Sequence, residues 1–362
     1  MRRCIAFVGP LPPPLTGFSN VCAMMLAMLR SNGEVHVFDR APTHKQPRQL
    51  IGQLLLPLRY AVLCMRRRDV GLYLALSGAY GQIYDWLYVL ISRLLRRPIF
   101  IHHHSFAYIY QPTRLNHWFF SSVRNASHIV LSRSMGDELV RLYGLNPACI
   151  KTVSNAAFYT AAETSRPAGA ERAPLQLGYL SNITLEKGIV EFFAILDRLR
   201  ELNIEHRARI AGPVAQDARG TFEKLLAAAG KVEYVGPVFG EAKDAFYRQM
   251  DVFLFPTKYA NEAEPLVVYE ALRQGVYVIA CDRGAISEML RNGAGVAFPQ
   301  EQIVESAAVQ IAAFDRDREL LRSAQKMSAQ QAQRIRTSGR TELETLLDRM
   351  QGASTENCAG VA

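Results

Sequence analysis

The feature that most constrains the fold of this chain is a regular alternation of short apolar runs with segments long enough for a helix. In the first half, six runs fit β-strands: Cys4–Val8, Val35–Phe38, Val70–Leu76, Pro98–His103, His128–Leu131 and Ile150–Val153. Helical patterns separate them, for example Asn20–Ser31 and Gly81–Leu95. Because strands joined through helices run parallel, this pattern predicts a parallel sheet covered on both faces.

A second series of the same kind follows a change in composition. Residues 160–174 are rich in Ala, Glu, Ser, Pro and Gly without periodicity, which is typical of a linker. Six further runs then fit strands: Leu175–Leu180, Ala208–Ala211, Val232–Val235, Val252–Pro256, Val276–Ala280 and Gly295–Phe298. Helices are predicted at Gly188–Leu202, Leu266–Gln274 and about Glu301–Met350. The sequence therefore predicts two α/β domains, at 1–160 and 174–335, followed by a C-terminal helix and tail at 336–362.

Length and cysteine usage agree with two globular domains in a reducing compartment. A chain of 362 residues exceeds one typical core. Its six cysteines are scattered without a CxxC pair, which argues against a disulfide framework or a zinc site and favours the cytoplasm. No run approaches the roughly 18 apolar residues of a membrane-spanning helix. The apolar run after Arg2 and Arg3 is too short for a signal peptide.

Positive charge is concentrated in the first half. Residues 1–170 hold 19 Lys/Arg against 7 Asp/Glu, a balance of +12, so the whole-chain charge of +9 leaves residues 171–362 at −3. This asymmetry predicts that the first domain contacts something anionic, such as nucleic acid, a membrane surface or a phosphorylated substrate. Arginines that are merely solvated are the alternative.

Three segments of the second half have the residue types of a phosphate and sugar site. Lys187 and Gly188 lie between a predicted strand and helix, where free backbone N–H groups and the helix dipole favour an anion. Glu262 and Glu270 stand eight positions apart across a loop-to-helix junction, and carboxylates accept hydrogen bonds from sugar diols. Gly284 to Glu288 forms a glycine turn before an acidic helix start. Each segment alone also fits a solvated turn or a helix cap.

Together these motifs resemble the family 4 glycosyltransferases, which have the GT-B fold of two Rossmann-like domains facing a central cleft. The resemblance spans roughly residues 5–300 and is strongest over 175–300. It rests on Glu186-Lys187-Gly188, Tyr234–Pro237, the Asp251–Pro256 strand, the Glu262 and Glu270 pair, and Gly284 with Glu288. The family's activity implies a retaining transfer of sugar from a nucleoside diphosphate sugar to an acceptor hydroxyl, without metal or cofactor.

The resemblance also implies roles for individual residues of the second domain. Lys187 would contact the donor diphosphate, Glu270 would hold the ribose hydroxyls, and Glu262 would lie beside the transferred sugar. Val235 and Gly236 fall in the family's base-binding loop, and Leu266 completes the expected donor contacts.

In the first domain, the resemblance places Gly17 where the backbone approaches the β-phosphate. It places His104 against the donor sugar, with His102 on the same face, whereas His103 is expected to be packed or exposed. His104, Glu262 and Lys187 are thus the catalytic candidates.

Two departures from the family pattern put its details in doubt. Ser181 and Asn182 stand where an arginine usually shares the diphosphate charge, so we expect weaker donor affinity or a substitute such as Arg283. Ala263-Glu264-Pro265 replaces a Gly-aromatic-Gly stretch, and proline has no N–H to offer. The donor sugar therefore need not be glucose or mannose, and a degenerate enzyme remains an alternative.

The acceptor is expected on the basic first domain. The stretch Lys45–Arg68 mixes arginines with leucines, which fits an interfacial helix contacting anionic lipid or a lipid-linked glycan. A core-facing helix with a solvated rim is the alternative. By analogy, the chain would serve polysaccharide biosynthesis at the inner face of the cell membrane, without a nucleic-acid partner. Its rivals are a nucleotide-sugar 2-epimerase and a non-catalytic nucleotide-sugar-binding subunit.

Overall fold

The structure is a computed structural model that describes residues 3–41, 55–78, 81–160 and 174–352. The chain divides into two compact units, with residues 1–159 and 336–362 in the first and residues 160–335 in the second. Each unit is built around one sheet of six parallel strands with helices between them. The predicted α/β class, with two Rossmann-like sheets, is thereby confirmed.

The first unit has the strand order β2-β1-β3-β4-β5-β6, with every neighbouring pair parallel. Its strands are β1 (Cys4–Gly9), β2 (Val35–Asp39), β3 (Val70–Leu76), β4 (Ile99–His103), β5 (Ser127–Val130) and β6 (Ile150–Thr152). Its helices are α1 (Gly17–Asn32), α2 (Leu56–Arg66), α3 (Gly81–Leu94), α4 (Ala107–Tyr110), α5 (Arg114–Ser121) and α6 (Arg133–Tyr143). Every residue of β1 and β3 is buried, because helices cover both faces of the sheet.

The second unit has the strand order β12-β11-β10-β7-β8-β9, again with parallel neighbours. Its strands are β7 (Leu175–Leu180), β8 (His206–Ala211), β9 (Val232–Tyr234), β10 (Val252–Phe255), β11 (Tyr277–Cys281) and β12 (Gly295–Phe298). Its helices are α7 (Ile189–Glu201), α8 (Arg219–Ala228), α9 (Gly240–Arg248), α10 (Leu266–Arg273), α11 (Ile286–Met289) and α12 (Ile303–Arg316), followed by α13 (Arg318–Met350). No helix of the described residues is long and apolar enough to cross a membrane.

The C-terminal helical stretch differs from the prediction in two ways. Asp317 is extended and separates α12 from α13. Its carboxylate accepts the N–H of Leu320 at 3.0 Å, which is the bond that starts a new helix. Moreover, the part of α13 beyond Arg336 belongs to the first unit, where Leu343 and Met350 join the core around Phe7. The segment 336–352 is therefore integral to that unit.

Only the second part of the predicted interfacial stretch Lys45–Arg68 can be compared with the structure, because residues 42–54 lie outside the described residues. Leu56–Arg66 is helical, as α2. Leu56, Tyr60 and Cys64 bury one side of it, while Leu58 on the other side is exposed. A core-facing side and an exposed apolar side thus coexist on this helix.

Candidate functional site

The candidate site of the second unit lies where the strand order of its sheet reverses. The chain proceeds from β7 outward to β9, then returns to place β10 on the other side of β7. In open parallel sheets, ligands bind beyond the carboxyl ends of the strands at this reversal. The loop after β7 carries Lys187, and the loop after β10 carries Glu262. Two of the three residues predicted from sequence as catalytic, Lys187 and Glu262, thus flank the reversal.

The two loops are held together by a contact that only glycine permits. Gly188 has φ of +81°, and a Cβ added there would lie 1.9 Å from the carbonyl oxygen of Pro256. Beside it, the N–H of Lys258 donates to the carbonyl of Glu186 at 2.7 Å. The glycine after Lys187 is therefore required by the close approach of the loop after β10. This contact fixes where the lysine side chain begins.

Lys187 and Glu262 form an ion pair. Lys187 Nζ lies 2.5 Å from Glu262 Oε2, and Thr257 donates its hydroxyl to the same oxygen at 3.1 Å. The ammonium also stands over the ring of Tyr259, 4.4 Å from its centroid. Both charged side chains are largely buried, so each depends on the other for compensation of its charge.

The backbone of Glu262 is held by the loop after β11. Gly284 has φ of +56°, and an added Cβ would lie 2.6 Å from the Glu262 carbonyl oxygen. The next residue, Ala285, donates its N–H to Ala263 at 2.7 Å. The predicted glycine turn at Gly284 thus acts as a support for the Glu262 segment.

The loops after β8 and β9 extend the same edge. A Cβ on Gly212 would lie 1.8 Å from the Ser181 carbonyl oxygen, and the Gly212 N–H donates to Gly236 at 3.0 Å. Gly236 itself has φ of +76° and no neighbour within 4 Å of its missing Cβ. The neighbouring Val235 is exposed. This predicted base-binding segment is therefore connected through Gly212 to the start of the Lys187 loop and has open space beside it.

Glu270 lies in α10, with Leu266 half-buried at the first position of that helix. The two carboxylate oxygens of Glu270 accept separate hydrogen bonds, one from Lys243 Nζ at 2.5 Å and one from the Tyr247 hydroxyl at 3.3 Å. Lys243 and Tyr247 stand four residues apart on α9, so both side chains project from one face. Sequence reasoning missed these two partners, although their helical spacing was a usable signal.

The first unit has a reversal of its own, between β1 and β3, and predicted site residues lie at that edge. Gly17 begins α1 after β1, is exposed, and has open space where a Cβ would stand. His104 follows β4, and its ring lies 4.8 Å from Phe18 and 4.0 Å from His102, centroid to centroid. The structure thus brings the Gly17 segment and His104 together within this unit.

His104 has an unusual chemical state. Burial lowers its pKa to about 3, so the imidazole is neutral at neutral pH. Among the described residues, its Nε2 is buried without a hydrogen-bond partner. By contrast, His103 is packed, as expected, and bonds Tyr108 at 2.8 Å and His128 at 3.0 Å. A buried polar atom without a partner calls for an explanation, and a ligand hydroxyl would supply one.

Two further groups have other partners in the structure. Arg283, the predicted substitute for the missing arginine, donates to Gln300 Oε1 at 2.9 Å. Cys4, Glu34 and His36 place potential metal-ligand atoms within 4.8 Å of one another, but at the starts of β1 and β2, the opposite edge from Gly17. The guanidinium of Arg67 already bonds Glu34 at 2.6 Å.

Comparison with known proteins identifies the fold and the second unit. Residues 162–333 match the family model described as glycosyl transferases group 1. No curated protein sequence matches the chain. Anabaena HepE, solved in complex with UDP and glucose, superposes with a TM-score of 0.67 at 16% identity over 96% of this chain and 100% of that one. Sucrose-phosphate synthase from Thermosynechococcus elongatus gives 0.70 at 16% identity, over 98% and 100%.

A glycosyltransferase from Rickettsia africae is a third similar structure, with a TM-score of 0.66 at 12% identity over 98% of this chain and 100% of that one. At such identities the likeness concerns the fold. The narrower resemblance to family 4 agrees with these matches and stays a prediction. The chain therefore has the GT-B fold, and its second unit matches the family model of glycosyl transferases group 1.

Proposed function

We propose that the chain is a retaining glycosyltransferase that needs no metal. It would move a sugar from a nucleoside diphosphate sugar to a hydroxyl of a polysaccharide precursor or a lipid-linked glycan. The observation that carries this proposal is the pairing of Lys187 with Glu262 at the reversal of the second sheet. The UDP and glucose bound by the Anabaena protein of similar fold support a nucleotide-sugar donor.

Lys187 would bind the diphosphate of the donor. As the glycosidic bond breaks, negative charge grows on the leaving phosphate, and a fixed ammonium in a largely buried position stabilises it. The acceptor oxygen forms a new bond to the anomeric carbon on the face from which the diphosphate leaves. The proton of the acceptor passes to a phosphate oxygen of the leaving group, so no protein side chain need act as a covalent nucleophile.

Glu270 would hold the ribose hydroxyls of the donor. An ionised carboxylate has about four lone-pair directions. Lys243 and Tyr247 each bond one oxygen of Glu270, so they would hold the carboxylate in one orientation towards hydroxyl groups of a ligand. In this arrangement Glu270 binds the ground state and the transition state equally well, because the ribose does not react.

His104 would position the transferred sugar as a neutral group. With its pKa lowered to about 3, its ring has one N–H donor and one acceptor nitrogen at neutral pH. The unpartnered Nε2 suits a sugar hydroxyl.

Steady-state kinetics of Lys187→Ala and Glu270→Gln with a panel of nucleotide sugars test the proposal. Removal of one preorganised charge costs about 3–4 kcal/mol, so Lys187→Ala should lower kcat by roughly a hundred- to a thousandfold. Glu270→Gln should mainly raise the KM for the donor, because it removes uniform binding. Lys224→Ala, on the exposed surface of α8, is the matched control and should turn over like the parent.

Two outcomes would contradict this assignment. If Lys187→Ala is folded and turns over like the parent enzyme, the diphosphate does not bind at Lys187. If the parent protein binds a nucleotide sugar but neither hydrolyses nor transfers it, the chain is a non-catalytic binding subunit.

A further inference from the structure

Two neighbouring helices of the first unit carry apolar stripes on their outer surfaces. On α2 and α3 the exposed apolar residues recur every three or four positions, so they share one side of each helix. They are Leu58, Val62 and Met65 on α2, and Ile83, Leu87, Leu90 and Leu94 on α3. Three of these side chains are mostly exposed: Leu58 by 62%, Met65 by 65% and Leu94 by 83%.

Helix α3 buries three of its polar residues and has its leucines outside. Gln82, Asp85 and Ser92 are buried. Asp85 accepts the N–H of Ser77 at 2.8 Å and pairs with Arg40, so its charge is compensated within the unit. In water, each Å² of apolar surface that stays exposed loses about 25 cal/mol of the stabilisation that burial would give. The outer side of α3 is therefore built for surroundings other than water.

The two stripes lie on helices that pack against each other. Tyr60 of α2 bonds Ser92 of α3 at 2.6 Å, and its ring lies 5.4 Å from that of Tyr88, which shows that the buried sides of both helices meet. The exposed stripes lie on the sides of the helices away from these buried residues. Next to α3, Trp86 bonds Ser122 at the end of α5, and Trp118 on α5 is 67% exposed. We call the two stripes together with Trp118 the apolar face.

The helices that carry the apolar face have exposed positive charge and no exposed negative charge. Helices α2, α3 and α5 contain one acidic residue, the buried Asp85. Exposed arginines lie on α2 and α3 or directly after them: Arg59, Arg66, Arg68, Arg93 and Arg96. Each arginine near an anionic lipid surface contributes about 1 kcal/mol, and the apolar side chains between them can enter the boundary of the acyl chains.

We propose that the apolar face binds the surface of an anionic phospholipid bilayer. This inference concerns where the chain acts and does not depend on the proposed sugar transfer. A second copy of the chain is a poorer occupant, because a symmetric contact would bring arginine against arginine with no exposed carboxylate on these helices to pair with. A bilayer containing acidic lipids supplies both the negative charge and the apolar layer.

Vesicle flotation tests the proposal with the whole chain. Vesicles of phosphatidylcholine with phosphatidylglycerol should bind the protein at low salt, whereas pure phosphatidylcholine should bind it much less. High salt should weaken binding, because it screens exposed charges. The triple variant Leu58→Ser, Leu87→Ser, Leu94→Ser should bind at least about tenfold more weakly. The double variant Val309→Ser, Leu320→Ser, which changes exposed apolar residues of the second unit, is the matched control and should bind like the parent.

Tryptophan quenching gives a second measurement that needs no loss of binding. The chain has two tryptophans, Trp86 and Trp118, and both lie at or beside the apolar face. Phospholipids brominated on their acyl chains should quench the fluorescence when vesicles are added, and Trp118→Phe should remove most of that quenching. Free phosphatidylglycerol headgroup (glycerol phosphate) should neither quench nor compete, which distinguishes a bilayer from a soluble phosphate ligand.

Four results would overturn the proposal. The first is absence of binding to anionic vesicles, and the second is equal binding by the folded triple variant and its control. The third is binding without quenching by the brominated lipids. The fourth is a parent protein that self-associates through this face, with the triple variant monomeric, because the occupant would then be a second copy.

Discussion

Acid should unfold the first unit through its buried histidines. His102, His103 and His128 are wholly enclosed by β4, β5 and their neighbours. Burial lowers the pKa of His128 to about 4 and holds the pKa values of His102 and His103 well below the usual range. In an unfolded chain, a histidine binds its proton near pH 6.5. These three side chains therefore bind protons in the unfolded state that the folded state excludes.

The sign and size of the effect follow from this difference. The histidines' contribution to the free energy of unfolding is complete above pH 6.5 and is lost as the pH falls from there towards the folded pKa values, about 4 for His128. Each group contributes up to about 1.4 kcal/mol per pH unit inside this window, and the three together about 4 kcal/mol per pH unit, while His104, whose pKa is lowered to about 3, adds to the slope in the same direction. Because domains are stable by roughly 5–15 kcal/mol, one to two pH units should remove much of the stability of the first unit.

Urea unfolding at several pH values between 5 and 7 measures the free energy of unfolding, and its change per pH unit is the slope to be compared. Fluorescence of Trp86 and Trp118 reports on the first unit alone, because the second unit has no tryptophan. His128→Phe should reduce the slope by about 1.4 kcal/mol per pH unit. Ile129→Val, at a buried position of β5 that binds no proton, should leave the slope unchanged.

The slope counts protons, so a lower overall stability of His128→Phe does not by itself disturb the test. His102→Phe provides an independent variant should His128→Phe fail to fold. A slope in the parent protein below about 1 kcal/mol per pH unit, or an unchanged slope in both folded variants, would refute the reasoning.

Two further predictions concern the second unit. Turnover should survive EDTA, because Lys187 and the backbone N–H groups beside it would balance the charge of the diphosphate, and restoration of lost activity by Mg²⁺ or Mn²⁺ would contradict this. Gly188→Ala should lower the stability of the second unit by at least about 1–2 kcal/mol and weaken donor binding, since its Cβ would strike Pro256 in a left-handed conformation. Circular-dichroism melting checks the loss of stability, with Gly220→Ala in α8, where space is open, as the neutral control.

Much of the fold was predictable because buried parallel strands leave a local signal. All twelve apolar runs proposed as strands are strands, with ends that shift by at most two residues. α1 starts three residues earlier than predicted, at Gly17, because Thr16 and Ser19 form a capping box ahead of the apolar pattern. Signals of this kind lie within a few residues of the feature they specify, which is why sequence reasoning can use them.

The features that escaped prediction depend on residues far apart in the chain. The assignment of 336–352 to the first unit rests on contacts between Leu343 and residues near the N-terminus. The bond between Lys243 and Glu270 joins two helices, so the four-residue spacing of Lys243 and Tyr247 indicates a shared face but not the carboxylate that this face contacts. For the same reason, the exposed side of α3 could not be recognised from sequence, because both of its sides carry apolar residues and only packing shows which one is outside.

The ion pair of Lys187 and Glu262 links stability to the proposed chemistry. Without a donor, each charge compensates the other in a largely buried place, so neither is left unpaired. A bound diphosphate would compete with Glu262 for the ammonium, and the carboxylate would then rely on Thr257 and on hydroxyl groups of the sugar for its hydrogen bonds. Lys187 and Glu262 should therefore act as one unit, and a double substitution should cost less than the sum of the two single losses. Additive losses would show that the two side chains serve separate purposes.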